Sequence, residues 1–187
     1  IRPGSGLRSL LTLAPTDCIP DDHELWNNYP SRSPTMGGSG DPVISKRLSD
    51  AARALYDDYQ LGGPNPSGAQ ELKIGPLHML FADTRFNRTS KTTLDGLFGV
   101  DTEKALVNWK NALLNAHSAR QLAIGVLACG QILLDEPSLL DGLDANLQSY
   151  RQFSVITDTM RQLANAGVPV LFLSGDIHFS RVTAATY

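Results

Sequence analysis

One short stretch of the sequence brings together four side chains that could bind a metal ion or transfer a proton. It consists of Asp21, Asp22, His23 and Glu24. A helix N-terminus would explain the carboxylates, because Asp21 or Asp22 could cap it and Glu24 would interact favourably with its dipole. That interpretation gives His23 no role. In a hydrolytic site, by contrast, adjacent residues point in different directions, so that one can bind a metal while the other reaches the substrate as a general acid.

A second cluster lies near the other end of the chain, where Asp176 and His178 follow an apolar run that ends at Ser174 and Gly175. In an extended chain, residues two apart lie on the same face, so Asp176 and His178 can approach one centre. A carboxylate and an imidazole together suit a divalent or trivalent metal, and Gly175 lets the backbone bend towards it. The alternative is a hydrogen-bonded Asp–His pair at the end of a strand.

Taken together, the two clusters supply the groups that a two-metal hydrolase requires. Two cations about 3.5–4 Å apart need several carboxylates to neutralise them, and they convert a bridging water to hydroxide. This interpretation requires the two clusters to meet in space, which depends on the elements that carry them.

Apolar runs predict three strands that are buried on both faces, and ligands of open α/β sheets bind on the loops beyond the ends of such strands. The predicted strands cover residues 77–82, 122–128 and 168–173. The last one leads directly into the second cluster.

Apolar residues at helical spacing predict three helices between these strands and before them. They cover residues 44–59, with Ser45 as the cap, residues 102–116, and residues 149–166, with Gly167 as the stop signal. Dense Pro and Gly residues predict loops over 29–42 and 61–68. Strands that alternate with amphipathic helices predict an α/β fold, with helices flanking a sheet.

The composition excludes several classes of protein. The chain has 187 residues, 42% of them hydrophobic, and a net charge of −3 from 16 basic and 19 acidic residues. We therefore expect one domain with a buried core and no surface for nucleic acid or an anionic membrane. No run reaches the ~18 apolar residues that a membrane helix needs. Cys18 and Cys129, the two cysteines, are too few for a disulfide scaffold or a thiolate zinc site.

Further motifs occur in an order that matches a known family. The first cluster continues into Leu25-Trp26-Asn27-Asn28-Tyr29, and the second reads Ser174-Gly175-Asp176-Ile177-His178-Phe179-Ser180. Between them lie Asp83-Thr84-Arg85, a Gly99 followed by Trp109 and Leu113, and a Gly130-Gln131 pair. In these motifs the chain resembles the alkaline-phosphatase-D-like (PhoD-like) phosphatases of the calcineurin-like metallophosphoesterase superfamily.

The resemblance implies a role for each matching position. Asp22 and Asp176 would bind one metal, and His178 would bind the other. His23 would protonate the leaving oxygen or orient the phosphate, and Arg85 would neutralise a phosphate oxygen.

Three further carboxylates, those of Asp21, Glu24 and Asp83, would lie behind the metal ligands, where Asp21 and Glu24 would orient His23. The implied cofactors are two metal ions, iron and calcium by resemblance, with manganese and zinc as alternatives. The family's fold is an αββα sandwich, and its members include periplasmic or secreted proteins.

The chain departs from the family because the family's first motifs, which include the bridging carboxylate and a Gly-Asp with a nearby Tyr, would lie before residue 1, and nothing in this chain replaces them. The sequence also starts at Ile1 without Met or a leader, and it ends like a strand cut short. We therefore interpret residues 1–187 as the C-terminal portion of a single metallophosphatase domain, whose N-terminal strands would be its partner.

The leading hypothesis is that the parent protein hydrolyses small-molecule phosphate esters. We expect residues 1–187 alone to be inactive or nearly so. The alternative is a non-catalytic binding or assembly domain that reuses the same fold.

Overall fold

The computed structural model describes residues 13, 16–33, 35–65, 67–89, 94–133 and 146–175. Within these ranges the strands are β1 (Ala69–Ile74), β2 (Leu77–Ala82), β3 (Ile124–Cys129) and β4 (Val170–Ser174). The α-helices are α1 (Pro42–Tyr56), α2 (Val100–Ser118) and α3 (Phe153–Asn165). Shorter helical segments are the 3₁₀ helices Asp22–Glu24 and Leu147–Ser149 and the π-helical turn Asp57–Leu61. The predicted α/β fold class is confirmed.

The four strands form one mixed sheet in the order β1-β2-β3-β4. β1 pairs antiparallel with β2, whereas β2, β3 and β4 are parallel. The three predicted strands are β2, β3 and β4, and their observed bounds lie within two residues of the prediction. The described ranges contain this one sheet, and the second sheet of the predicted αββα sandwich is not among their elements.

β1 was not predicted from the sequence. It is an edge strand whose side chains change between apolar and charged along its length, so it lacks the continuous apolar run of a buried strand. Gly75 and Pro76 join it to β2, and Gly75 has a φ of 56°, a value that a glycine adopts without strain.

Helices α2 and α3 confirm two of the predicted helices, and they cover one face of the sheet. Leu106, Trp109 and Leu113 of α2 are buried in the core, as predicted. The Trp109 Nε1–H donates to the His78 carbonyl of β2 at 2.8 Å, and a Cβ atom on Gly125 of β3 would lie 2.8 Å from the Trp109 ring. α2 therefore packs directly against the two central strands.

Helix α1 exists, but two details of its prediction are wrong. Its N-cap is Asp41, whose side chain accepts from the N–H groups of Val43 and Ile44 at 2.8 and 3.0 Å, and not Ser45. A proline at the first helical position moves the start upstream, because its fixed φ suits that position. The predicted apolar stripe also remains largely exposed, and Tyr56 is the buried residue of α1.

The opposite face of the sheet is apolar but partly open. The register places Leu72, Met79, Val126 and Leu171 in one row across the four strands. Its outer members, Leu72 and Leu171, are 37% and 53% exposed. Burial of β4 on both faces is therefore not found in the described structure. None of the described helices is long and apolar enough to cross a membrane.

Candidate functional site

The turn that carries the first cluster is a short 3₁₀ helix with a reciprocal cap. The Asp21 N–H donates to Glu24 Oε2 at 2.8 Å, and the Asp21 side chain accepts from the Glu24 N–H. Asp21 and Glu24 thus serve as a capping box, which satisfies backbone groups at a helix start. The helix-cap interpretation of these two carboxylates is confirmed, and it leaves Asp22 and His23 to be explained.

Asp22 is a buried carboxylate with one oxygen unused by the described residues. Its side chain is 4% exposed. Oδ2 accepts from the Asn28 N–H at 2.6 Å, while Oδ1 is buried and accepts no hydrogen bond within the described ranges. A buried carboxylate oxygen in this state is costly, so it favours a cation or a proton donor beside it.

His23 has the opposite character. Its imidazole is 60% exposed, and Nε2 lies 3.9 Å from Asp22 Oδ1. Neighbouring residues of the turn therefore place one group in the interior and one at the surface. The exposed imidazole can exchange protons with solvent or with a bound molecule.

Arg85 is fully buried beneath this turn. Its Nε–H donates to Asp21 Oδ1 at 3.0 Å, and Nη1 donates to the Tyr29 carbonyl at 3.2 Å. The guanidinium thus connects the end of β2 to both ends of the segment that contains Asp22. In the described structure Arg85 supports the site from within, and contact with a phosphate oxygen stays a prediction.

Asp83 organises the same strand end. Its Oδ1 accepts from the N–H groups of Arg85 and Phe86 at 2.8 and 2.9 Å, so it closes the turn after β2. Burial raises the pKa of this carboxyl, and the two backbone hydrogen bonds oppose that shift. Asp83 therefore shapes the loop on which Arg85 is mounted.

Two glycines show that the first cluster lies beside the ends of β3 and β4. A Cβ atom on Gly130, just after β3, would lie 2.5 Å from the Pro20 carbonyl and 3.4 Å from Asp21 Oδ1. A Cβ atom on Gly175, just after β4, would lie 3.4 Å from the Gly130 carbonyl. The end of β3 thus lies next to both the turn and the end of β4.

Asp176 and His178 lie outside the described residues. The chain is placed as far as Gly175, whose N–H is 3.4 Å from the Cys129 carbonyl. The predicted meeting of Asp22 with Asp176 and His178 stays a prediction.

A buried arginine that the sequence analysis did not assign joins the ends of β2 and β3. Arg88 donates through Nη2 to the Gln131 side chain and through Nε to the Thr84 carbonyl, and its guanidinium lies over the Tyr150 ring at 4.9 Å. No feature of the sequence distinguishes this arginine from an exposed one. Its role is to fix the spacing of two loops that border the site.

The described residues offer an incomplete set of metal ligands. They contain no group of three or more His, Cys, Asp or Glu side chains that could hold one. Asp22 fits as a single ligand, because its buried Oδ1 accepts no hydrogen bond from the described residues. The other ligands would have to come from the predicted positions beyond Gly175 or from outside this chain.

Comparisons with known proteins show the fold. No family model matches the sequence, and no match was found among curated proteins. A solved structure described as "Structure of PhoD" superposes with a TM-score of 0.59 and 21% sequence identity over 84% of this chain. The match covers 33% of that structure's own chain, so this chain spans about a third of its length. The chain thus has a partial PhoD-like α/β fold.

Proposed function

We propose that this chain forms part of a metal-dependent phosphoric ester hydrolase that acts on small-molecule phosphate esters. The proposal rests chiefly on Asp22, a buried carboxylate with an oxygen left over for a cation. Its place in a fold like that of PhoD, beside two parallel strand ends, supports the same conclusion.

The proposed metal ligands are Asp22, Asp176 and His178. Asp22 already has one oxygen held by the Asn28 N–H, which orients the carboxylate and leaves Oδ1 for coordination. Hydrogen bonds of this kind fix first ligands in metal sites. Two metal ions, iron and calcium by resemblance or manganese or zinc, would supply a nucleophilic hydroxide and stabilise charge on the phosphoryl oxygens.

His23 is proposed as the general acid. Its exposed imidazole lies on the same turn as Asp22, so it can donate a proton to the leaving oxygen of a bound ester. Asp21 and Glu24 cap this turn and hold it in shape.

Arg85 is the second proposed catalytic residue, by resemblance. Its buried guanidinium carries a positive charge next to Asp21. Arg85 therefore contributes to the electrostatic potential at the site in addition to supporting the turn. In the described structure Nη1 of this guanidinium donates to the Tyr29 carbonyl.

The partner of this chain is proposed to be the missing N-terminal part of its own domain. The open sheet face is the surface it would cover, because apolar side chains of β1 and β4 are exposed there. Leu72, Ile74, Leu171 and Leu173 are 37–56% exposed on that face. Two sheets packed face to face would bury them.

Metal binding to the chain tests the ligand assignment. We expect titration with Mn²⁺ or Ca²⁺, followed by calorimetry, to show weak binding that Asp22→Asn weakens at least ~10-fold. Asp58→Asn, at an exposed acidic position of the π-helical turn, is the matched control and should bind as the wild type does. Unchanged binding in both Asp22→Asn and an Asp176→Ala, His178→Ala double variant would contradict the assignment.

Hydrolysis of a generic aryl phosphate monoester and diester tests the activity, in the domain completed by its N-terminal part. We expect His23→Ala to lower kcat by ~10²–10⁴-fold, the usual contribution of a general acid. His117→Ala, at an exposed position near the end of α2, should leave kcat unchanged. Metal-independent binding without any hydrolysis would favour the alternative, a non-catalytic binding domain.

A further inference from the structure

A second polar pocket lies on the other side of β2 from α2, away from the side chains of Asp22 and His23. It is enclosed by Cys18, by Arg53 and Tyr56 of α1, and by Gln70 and Asp83 of the sheet. Its volume is about 20 Å³, counted as the space that the centre of a water molecule can occupy. Because one water needs roughly 10–15 Å³ by this measure, the pocket has room for one or two groups of that size.

Three of the residues that line this pocket carry a side-chain oxygen without a hydrogen bond from any described residue. These oxygens are the Tyr56 hydroxyl, Gln70 Oε1 and Asp83 Oδ2, and all three atoms are buried. Tyr56 and Asp83 are each only 5% exposed. Buried polar atoms are almost always paired, so three unpaired oxygens around one small cavity indicate an occupant.

The backbone comes close to the Asp83 carboxylate at Gly68. Gly68 lines the pocket with a φ of 64°, and a Cβ atom on it would lie 2.9 Å from Thr102 Oγ1 and 3.4 Å from Asp83 Oδ2. The Gly68 carbonyl meanwhile accepts from the Asp83 N–H at 2.8 Å, which fixes the carboxylate beside Gly68. A larger residue at position 68 would reduce the space beside the carboxylate.

The charges around the pocket point to a cation of low charge. Asp57 and Asp83 are the acidic residues that line the pocket, and Arg53 is the basic one. Arg53 is already engaged, because Nη2 donates to the Asn65 carbonyl at 3.1 Å and the guanidinium lies over the Phe86 ring. The three unpaired oxygens include an oxygen of only one carboxyl group, that of Asp83, which suits a monovalent cation, whereas calcium sites use several carboxylates.

We propose that this pocket binds one alkali metal cation, sodium or potassium, through the oxygens of Tyr56, Gln70 and Asp83. Hard cations prefer oxygen ligands, and water would complete the coordination. Because Cys18 and Pro20 also line the pocket, the bound cation would hold the segment before Asp21 against α1 and the sheet. The pocket shares Asp83 with the loop that carries Arg85, but cation binding there does not require the proposed hydrolase activity.

Thermal unfolding of the full chain tests the proposal. We compare sodium chloride and potassium chloride with choline chloride at equal ionic strength. At a cation concentration about ten times the dissociation constant, we expect the unfolding equilibrium to shift ~10-fold towards the folded state. For a chain of this length, that corresponds to a Tm increase of about 3–5 °C.

Tyr56→Phe and Tyr59→Phe form the matched pair of variants. Tyr56→Phe removes one of the three oxygens and should abolish the cation-dependent shift, whereas Tyr59, which is 83% exposed, should tolerate the same change. In choline chloride, Tyr56→Phe should be at least as stable as the wild type, because it removes a buried hydroxyl without a hydrogen bond.

Sodium NMR provides a second readout. We expect the chain to broaden the ²³Na signal, and we expect Asp83→Asn to remove that broadening. Equal Tm values in all three salts, or a shift that survives in Tyr56→Phe, would overturn the proposal and leave ordered water as the occupant.

Discussion

The ion pair between Arg85 and Asp21 offers the sharpest test of how the candidate site is held together. Arg85→Met removes the guanidinium while retaining much of the apolar side chain. Breaking a fully buried pair by removing one partner costs about 3–5 kcal/mol. Here Asp21 is 19% exposed and keeps the Glu24 N–H, so solvent and the cap offset part of the loss. We expect a decrease of about 2–3 kcal/mol in the free energy of unfolding.

Urea unfolding followed by tryptophan fluorescence measures this decrease. Trp26 lies beside the turn and Trp109 lies in the core, so both the site and the sheet contribute to the signal. Asp21→Asn and the double variant complete a thermodynamic cycle, in which the coupling between the two side chains should exceed about 1 kcal/mol.

The matched control is Arg161→Met, which removes an exposed ion pair to Asp158 and should cost no more than about 0.5 kcal/mol. If Arg85→Met were as mild as this control, or if the cycle gave no coupling, the structural role of Arg85 would be refuted.

Three further predictions follow from individual contacts. Gly130→Ala should destabilise the chain by about 1–3 kcal/mol in urea, because the new methyl group would overlap the Pro20 carbonyl. Trp109→Phe should cost about 1–3 kcal/mol by thermal unfolding, since the buried His78 carbonyl loses its donor. Burial lowers the pKa of His78 below 6.5, and the positive charge of Lys73 lowers it further. The unfolded chain therefore takes up more protons than the folded chain as the pH falls. The stability advantage of the wild type over His78→Gln should therefore be complete above pH 6.5 and decrease below it, as urea titrations at several pH values would show.

The sequence predicted the central strands well because burial leaves a direct trace in composition. β3 is buried at every position from Gly125 to Cys129, and its run of apolar residues reflects this. β1 has no such trace, because an exposed edge strand tolerates Glu71 and Lys73 between its apolar residues. The start of α1 was misplaced because Ser45 and Asp41 are both good caps, and only the position of Pro42 decides between them.

The candidate site was predictable in its residue types and less so in their roles. The acidic run at residues 21–24 indicated a site, but its pattern does not reveal that Asp21 and Glu24 cap the turn while Asp22 is buried. The supporting contacts of Arg85 and Arg88 depend on tertiary packing, and sequence spacing carries no information about it. The assignments of Asp176 and His178 stay predictions.

The open face of the sheet has a consequence for the chain in solution. Exposed leucine and isoleucine side chains lie on this face along β1 and β4, the two edge strands of the described sheet. An apolar face bordered by unpaired strand edges favours self-association, and a net charge of −3 gives little electrostatic repulsion against it. Preparations of this polypeptide alone are therefore expected to aggregate with increasing concentration, and lysine substitutions at Leu72 and Leu171 should improve its solubility.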